Sequence, residues 1–215
     1  VKDKDTGDSG NSYRLNLDFH DSRKVLAFAL PGLYIADSTR ITMHSSGGDL
    51  EGEAVSPRLA WHTNYLKDVK ISFDNFGKSL NATVLSSDMN LGGVGFSNSA
   101  LSAFAQEDNI FAGFHYDGIR GLDNVGEIYL TGDISRDLSD TLCVRANPLS
   151  SYLRFNSQQW DMDESQIVYR AGSILVDGFR MHNGDQVISI DGGIASKELD
   201  TLTVGIRNVD LSAIN

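Results

Sequence analysis

Apolar residues in this chain recur at every second position, and that feature decides most of what it can fold into. The clearest runs are Leu15-Asn-Leu17-Asp-Phe19, Val69-Lys-Ile71-Ser-Phe73, Ile128-Tyr-Leu130 and Leu202-Thr-Val204-Gly-Ile206. Period two places these side chains on one face of a β-strand, whereas a helix would need a spacing of three or four. The breaks between runs are turn chemistry: Ser46-Gly47-Gly48-Asp49, Asp117-Gly118, Asn183-Gly184-Asp185 and Asp191-Gly192-Gly193. Asn and Gly tolerate positive φ, so Asn-Gly between two alternating runs predicts a hairpin. Prolines occur only at 31, 57 and 148, which suits long ladders, since proline removes a ladder donor.

Helical signals are weak. Ser97 to Gln106 could form a short capped helix carrying Leu101 and Phe104, and Leu149 to Leu153 a further turn. Everything else reads as strand and turn, about 14 to 17 strands at the usual spacing. The predicted fold class is therefore all-β, an elongated and mainly antiparallel sheet with at most one or two short helices.

The chain opens on Val1, and its first residues (VKDKDTGDSGN) are polar and rich in Gly, Ser and Asp. Residues 1–12 are expected to be a disordered leader, followed by a first β segment over 13–126 and a second over 127–215. No apolar run approaches the roughly 18 residues that cross a bilayer. A segment of a longer protein is the expectation, with any anchor or export signal elsewhere. The net charge of −11, from 29 acidic and 18 basic residues, repels phosphate backbones and anionic membrane surfaces. Nucleic acid is thus excluded as an expected partner.

Residues 128–144 (IYLTGDISRDLSDTLCV) align with 188–204 (ISIDGGIASKELDTLTV) at an offset of 60, with seven of 17 positions identical. Chance would give about one, so the repeat argues for an extended array. Its second copy runs Gln186-Val-Ile-Ser-Ile-Asp-Gly192, then Leu199-Asp-Thr-Leu-Thr-Val204, ending Asn208-Val-Asp-Leu211. This resembles the TamB family, the translocation and assembly module of bacterial envelopes, which belongs to the AsmA-like proteins. The stretch from Trp160-Asp-Met162 through Ile167, Tyr169, Ile174, Val176, Phe179 and Met181 is similar to the same unit. The likeness covers about 127–215 well and 13–126 only by general pattern.

The resemblance implies a sheet curled into a trough with an apolar interior, a bridge that conducts phospholipids through the periplasm between inner and outer membranes. It also implies a link to outer-membrane protein assembly through a barrel of the TamA type, in a Gram-negative cell, with the full-length protein anchored in the inner membrane. No cofactor is implied and no catalysis. Each CH₂ of an acyl chain buried on such a surface gains about 0.8 kcal/mol. Since the hydrophobic effect is non-directional, chains can slide without polar handles. The lining expected from the repeat is Ile128, Leu130, Ile134, Leu142, Val144, Ile188, Ile190, Ile194, Leu202, Val204 and Ile206, with Trp160, Met162, Ile174 and Val176 as neighbours. Open sheet edges would favour self-association of the chain.

Other features weigh toward plain structural roles. The lone Cys143 lies in an apolar stretch and reads as a buried thiol. The five histidines form no metal-ligand spacing. Asp3 to Asp8 lacks the glycine and glutamate of a calcium loop. Trp160 beside Asp161, Asp163 and Glu164 could suggest a sugar site with paired acids, but Trp160-x-Met162 reads more simply as inward residues between water-facing acids. Gly92-Gly93-Val-Gly95 lacks the Lys-Ser/Thr of a phosphate loop and reads as a turn or a flattened strand. The competing reading is a structural or adhesive β-domain, a jelly roll or β-helix of a secreted or surface protein.

Overall fold

The computed structural model describes residues 12–209, except 22, 24–25, 27, 29, 120–124, 137, 156–157 and 195–200. The expected leader and the Asp3–Asp8 stretch lie almost wholly outside the described residues. The first half of the chain contributes β1 (Tyr13–Asp18), β2 (Leu33–Ile35), β3 (Arg40–Ser46), β4 (Asp49–Trp61), β5 (Asn64–Asp74), β6 (Ser79–Leu91), β7 (Val94–Gln106), β8 (Asn109–Tyr116) and β9 (Gly118–Ile119). The second half contributes β10 (Gly126–Arg136), β11 (Leu142–Pro148), β12 (Ser151–Phe155), β13 (Gln158–Met162), β14 (Gln166–Arg170), β15 (Ser173–Asn183), β16 (Gln186–Ile194) and β17 (Leu202–Arg207).

All these strands belong to one sheet, and every pairing among them is antiparallel. The path is a meander in which tight turns such as Gly47-Gly48, Gly92-Gly93 and Gly184-Asp185 reverse the chain. Four pairs of strands lie end to end on a shared rung: β2 with β3, β8 with β9, β11 with β12, and β13 with β14. Seventeen strands therefore make thirteen rungs. At about 4.8 Å per step the sheet is about 58 Å long. Pairing of β8 with β10 carries the ladder straight across residue 126.

Two expectations about local structure are corrected. Ser97 to Gln106 is not a helix but most of β7, paired along both sides with β6 and β8. Its Ala, Leu and Phe fit strand period as well as helix period, and pairing partners on both flanks decide between them. Leu149 to Leu153 likewise leads into β12 rather than forming a helical turn. Helical geometry occurs instead at a turn near Leu26, whose carbonyl accepts from Leu30 N–H, and in the 3₁₀ turn Phe76–Lys78. Asp191-Gly192-Gly193 is not a turn either; it stays within β16, with Gly192 at φ +106°.

A crease runs across the strands. In β4 and β5, Ser56 pairs with Val69 and Arg58 with Lys67, while Pro57 and Asp68 are skipped. In β6 and β7, Ser86 pairs with Ser99 and Asp88 with Ser97, while Ser87 and Asn98 are skipped. Asp68 and Asn98 sit at φ +46° and +45°, the left-handed region that Asp and Asn tolerate best after glycine. On the shared rungs the same line falls at Ala36–Thr39, at Asp117, at Leu149-Ser150 and at Asp163–Ser165. In β15 it is a register slip between Val176 and Phe179, where Gly178 N–H donates to Asp191 Oδ1 (3.1 Å).

Skipping a residue shifts the alternation by one, bends each strand and keeps the apolar side chains on one side. Phe96, on the far side of the crease, packs edge-on against Phe114 and Tyr116 on the near side, with centroids 5.4 and 5.1 Å apart. Val69 and Tyr116 are each 1% exposed. With no second layer of sheet or helix over them among the described residues, the two arms on either side of the crease must supply that cover. The sheet is thus a trough, with its apolar face on the concave side.

Candidate functional site

The register fixes which residues share a face, because directly paired residues in antiparallel strands point the same way. Along the first eight rungs one row reads Leu17, Ile41, Ala54, Ile71, Val84, Leu101, Phe114 and Ile128. A row further up the arm continues through the second half as Ile134, Val144, Tyr169, Ile174 and Ile194. These rows hold no charged side chain. Their companions on the other face are Arg14, Glu53, Lys70, Asp133, Arg145, Asp191 and similar residues. Ion pairs tie that convex face together, among them Arg40–Asp18 (3.0 Å), Lys70–Glu53 (2.8 Å) and Arg145–Asp133 (3.0 Å).

All fifteen residues expected to line the groove lie on the apolar face. Ile134 pairs with Val144, Leu130 with Pro148, and Leu142 with Arg136. Ile128 pairs with Phe114. Val176 pairs with Gly192 and Ile174 with Ile194, while Ile188 and Ile190 pair with Ile206 and Val204, and Leu202 with Gly192. Trp160 and Met162 reach this face through Leu153 and Met181; they are buried in the crease, whereas Val204 and Ile206 stay 56% and 60% exposed. Sequence reasoning named no lining residue before 128, yet Leu15, Met43, Phe73 and Leu101 extend the same surface. Their own period-two alternation carries the signal.

The two repeat copies keep the face but not the register. Ile134 pairs with Val144 in the first copy, whereas in the second Val204 pairs with Ile190 rather than Ile194. Because the slip is even, no side chain changes side. Both glycines shared by the copies meet backbone closely: a Cβ on Gly132 would lie 2.5 Å from Arg145 O, and one on Gly192 would collide with Thr201 O.

Apart from the Asp191 carboxylate at Gly178, the side chains that satisfy the backbone along the crease are hydroxyls. Thr39 Oγ1 donates to Ala36 O (2.6 Å) and lies 2.6 Å from Ser56 Oγ, which reaches Arg58 O (3.0 Å). Ser86 Oγ accepts from Lys67 N–H (3.2 Å) and faces Lys67 O and Asp88 O (2.8 and 2.9 Å). Ser151 Oγ accepts from Tyr129 N–H (2.9 Å) and donates to Leu149 O (2.8 Å). Ser99 Oγ is buried and has no hydrogen-bond partner among the described residues. Gly126 leaves room for the Tyr116 ring, since a Cβ there would collide with the phenol oxygen. Burial holds the Tyr116 phenol pKa above its usual value.

The groups weighed from the sequence for chemistry are dispersed. Cys143 is buried. His44, His115 and His182 each face a carboxylate, Glu51, Asp117 and Asp163 respectively. Among the described residues no group of three His, Cys, Asp or Glu side chains could hold a metal. Trp160 points to the concave side while Asp161, next along the strand, pairs with Tyr152 and His182 on the other. Gly92-Gly93 is the hairpin turn between β6 and β7.

Comparison with protein-family models, with curated proteins and with solved structures finds no match to this chain.

Proposed function

We propose that this chain is a lipid-conducting segment of an envelope protein of the TamB kind, carrying phospholipids through the periplasm along its concave face. The observation that supports this is the continuous apolar face across thirteen rungs, left open to solvent toward the rims. Soluble proteins rarely leave contiguous apolar surface of that extent uncovered without a ligand or partner for it. Acyl chains match it because they need no polar handle and gain about 0.8 kcal/mol per CH₂ buried. Transfer along the trough then needs no catalytic residue. In this reading β1 and β17, which have one neighbouring rung each among the described residues, are edges where neighbouring segments or a second copy add strands. A barrel of the TamA type in the outer membrane is the proposed assembly partner.

The adhesive alternative takes its folds from jelly rolls and β-helices. A jelly roll packs two sheets face to face and a β-helix pairs parallel strands; here, among the described residues, one sheet holds every strand and all pairings are antiparallel. No specific observation favours that function over lipid conduction. The test is native mass spectrometry with lipid extraction on gently purified protein. Co-purifying phospholipid that disappears in Ile190→Asp is the expected result; a lipid-free wild type would overturn the reading.

A further inference from the structure

The convex face is mostly polar, but near its middle three aromatic side chains come from three successive rungs. Phe104 in β7 pairs directly with Phe111 in β8. Tyr129 in β10 pairs with Gly113 and settles its ring over that glycine, where a Cβ would lie 3.2 Å from ring atoms. The Phe111 and Tyr129 rings are near-parallel, at 24° with centroids 6.1 Å apart. Phe104 and Phe111 remain 39% and 38% exposed.

Hydrogen-bonding groups frame one end of these rings. The Tyr129 hydroxyl donates to Glu127 Oε2 (3.1 Å), a bond that also holds its pKa above the usual phenol value. The other Glu127 oxygen lies 3.6 Å from His115 Nδ1, and His115 Nε2 lies 2.9 Å from Asp117 Oδ1. Glu127, His115 and Asp117 are 35%, 40% and 51% exposed, so the remaining carboxylate lone pairs are open to a ligand, while the imidazole sits between the two acids and positions them.

Aromatic faces carry negative charge and attract the weakly positive C–H bonds of an apolar ring face. A pyranose has such a C–H face and a rim of hydroxyls, which suits flat rings flanked by carboxylates and an imidazole. Directly paired neighbours of the platform are polar and small: Asn81 beside Phe104, and Thr131 beside Phe111. That is a poor frame for an apolar protein partner, whose contact would need a broader hydrophobic core. The local acids and the net charge of −11 repel anionic sugars. We propose that this convex patch binds a neutral glycan chain through Phe104, Phe111 and Tyr129, with the Glu127 and Asp117 carboxylates accepting from its hydroxyls and His115 holding the two acids in place. The site lies on the face opposite the acyl-chain surface, so its failure and the failure of the lipid reading are separately visible.

The experiment is a titration of the isotope-labelled full chain with cellohexaose and with chitohexaose, followed by amide NMR. Expected are shifts confined to β7, β8 and β10, with Tyr129→Ala and Phe111→Ala each weakening binding about tenfold or more and Tyr129→Phe staying within a few-fold of wild type. Val55→Ala, also convex but distant, should change nothing. Phe111→Ala, at an exposed position, keeps the test decisive if Tyr129→Ala unfolds. The absence of shifts with both sugars at about 10 mM, or undiminished binding in Phe111→Ala, would overturn the proposal.

Discussion

The crease and the rims of the trough are made from the same alternating strands, yet they obey different rules. At the crease Val69, Tyr116 and a set of hydroxyls are fully buried, and the backbone groups freed by skipped pairings are taken up by Ser56, Ser86 and Ser151. Toward the rims and the end of the sheet, Leu101, Ile174, Val204 and Ile206 are apolar but substantially exposed. One region sets the shape; the other offers surface. Stability should therefore reside in the crease, and ligand retention in the arms.

Tyr116→Ala should separate the two most sharply. Removing a fully buried aromatic that contacts Phe96 and Phe114 should cost about 3–5 kcal/mol in denaturant unfolding. A loss under about 1 kcal/mol would mean that the arms do not close on the crease. Ser86→Ala strips the partner from Lys67 N–H and should cost about 1–3 kcal/mol. Ser99→Ala, whose hydroxyl has no partner, should be neutral or slightly stabilising; equal losses at the two sites would dissolve the distinction drawn here. Ile190→Asp puts a charge on the concave face, and should abolish phospholipid retention while the far-ultraviolet dichroism of the sheet persists.

The smallest effect concerns pH. The Tyr116 phenol pKa is raised by burial, so the folded state holds this proton more tightly than the unfolded chain does. Its contribution is fully present below the ordinary phenol pKa of about 10 and is lost as pH rises from there through the folded value. Stability should fall in that alkaline window for wild type, and fall less for Tyr116→Phe, as thermal melts across the window would record.

Much of this was legible in the residues. Ile188, Ile190, Val204 and Ile206 announce one strand face by alternation alone, and the even register slip in the second repeat copy leaves that reading intact. The crease was not legible, because it depends on skipped pairs. Pro57, Asp68, Ser87 and Asn98 are unremarkable polar or turn residues until both neighbouring strands are in place. A weak trace existed: the apolar phase of β4 runs through Leu50 and Ala54 to Ser56, then resumes at Leu59 and Trp61, one residue out of step. The mistaken helix at Ser97–Gln106 likewise needs the neighbouring strands to be seen through. Leu101 and Phe104, three apart, suggest one helix face, but in β7 they lie on opposite faces, Leu101 paired with Phe114 and Phe104 with Phe111, and only the partner strands reveal it.

The most direct test of the central claim is photo-crosslinking in cells at adjacent positions of one strand. Val204 and Ile206 point to the concave face and Thr203 to the convex one, as do Leu101 and Ser102 on a distant rung. A photoreactive residue should capture phospholipid at 101, 204 and 206 and not at 102 or 203. Equal capture at both parities, or none at the concave positions, would contradict a lipid-conducting concave face.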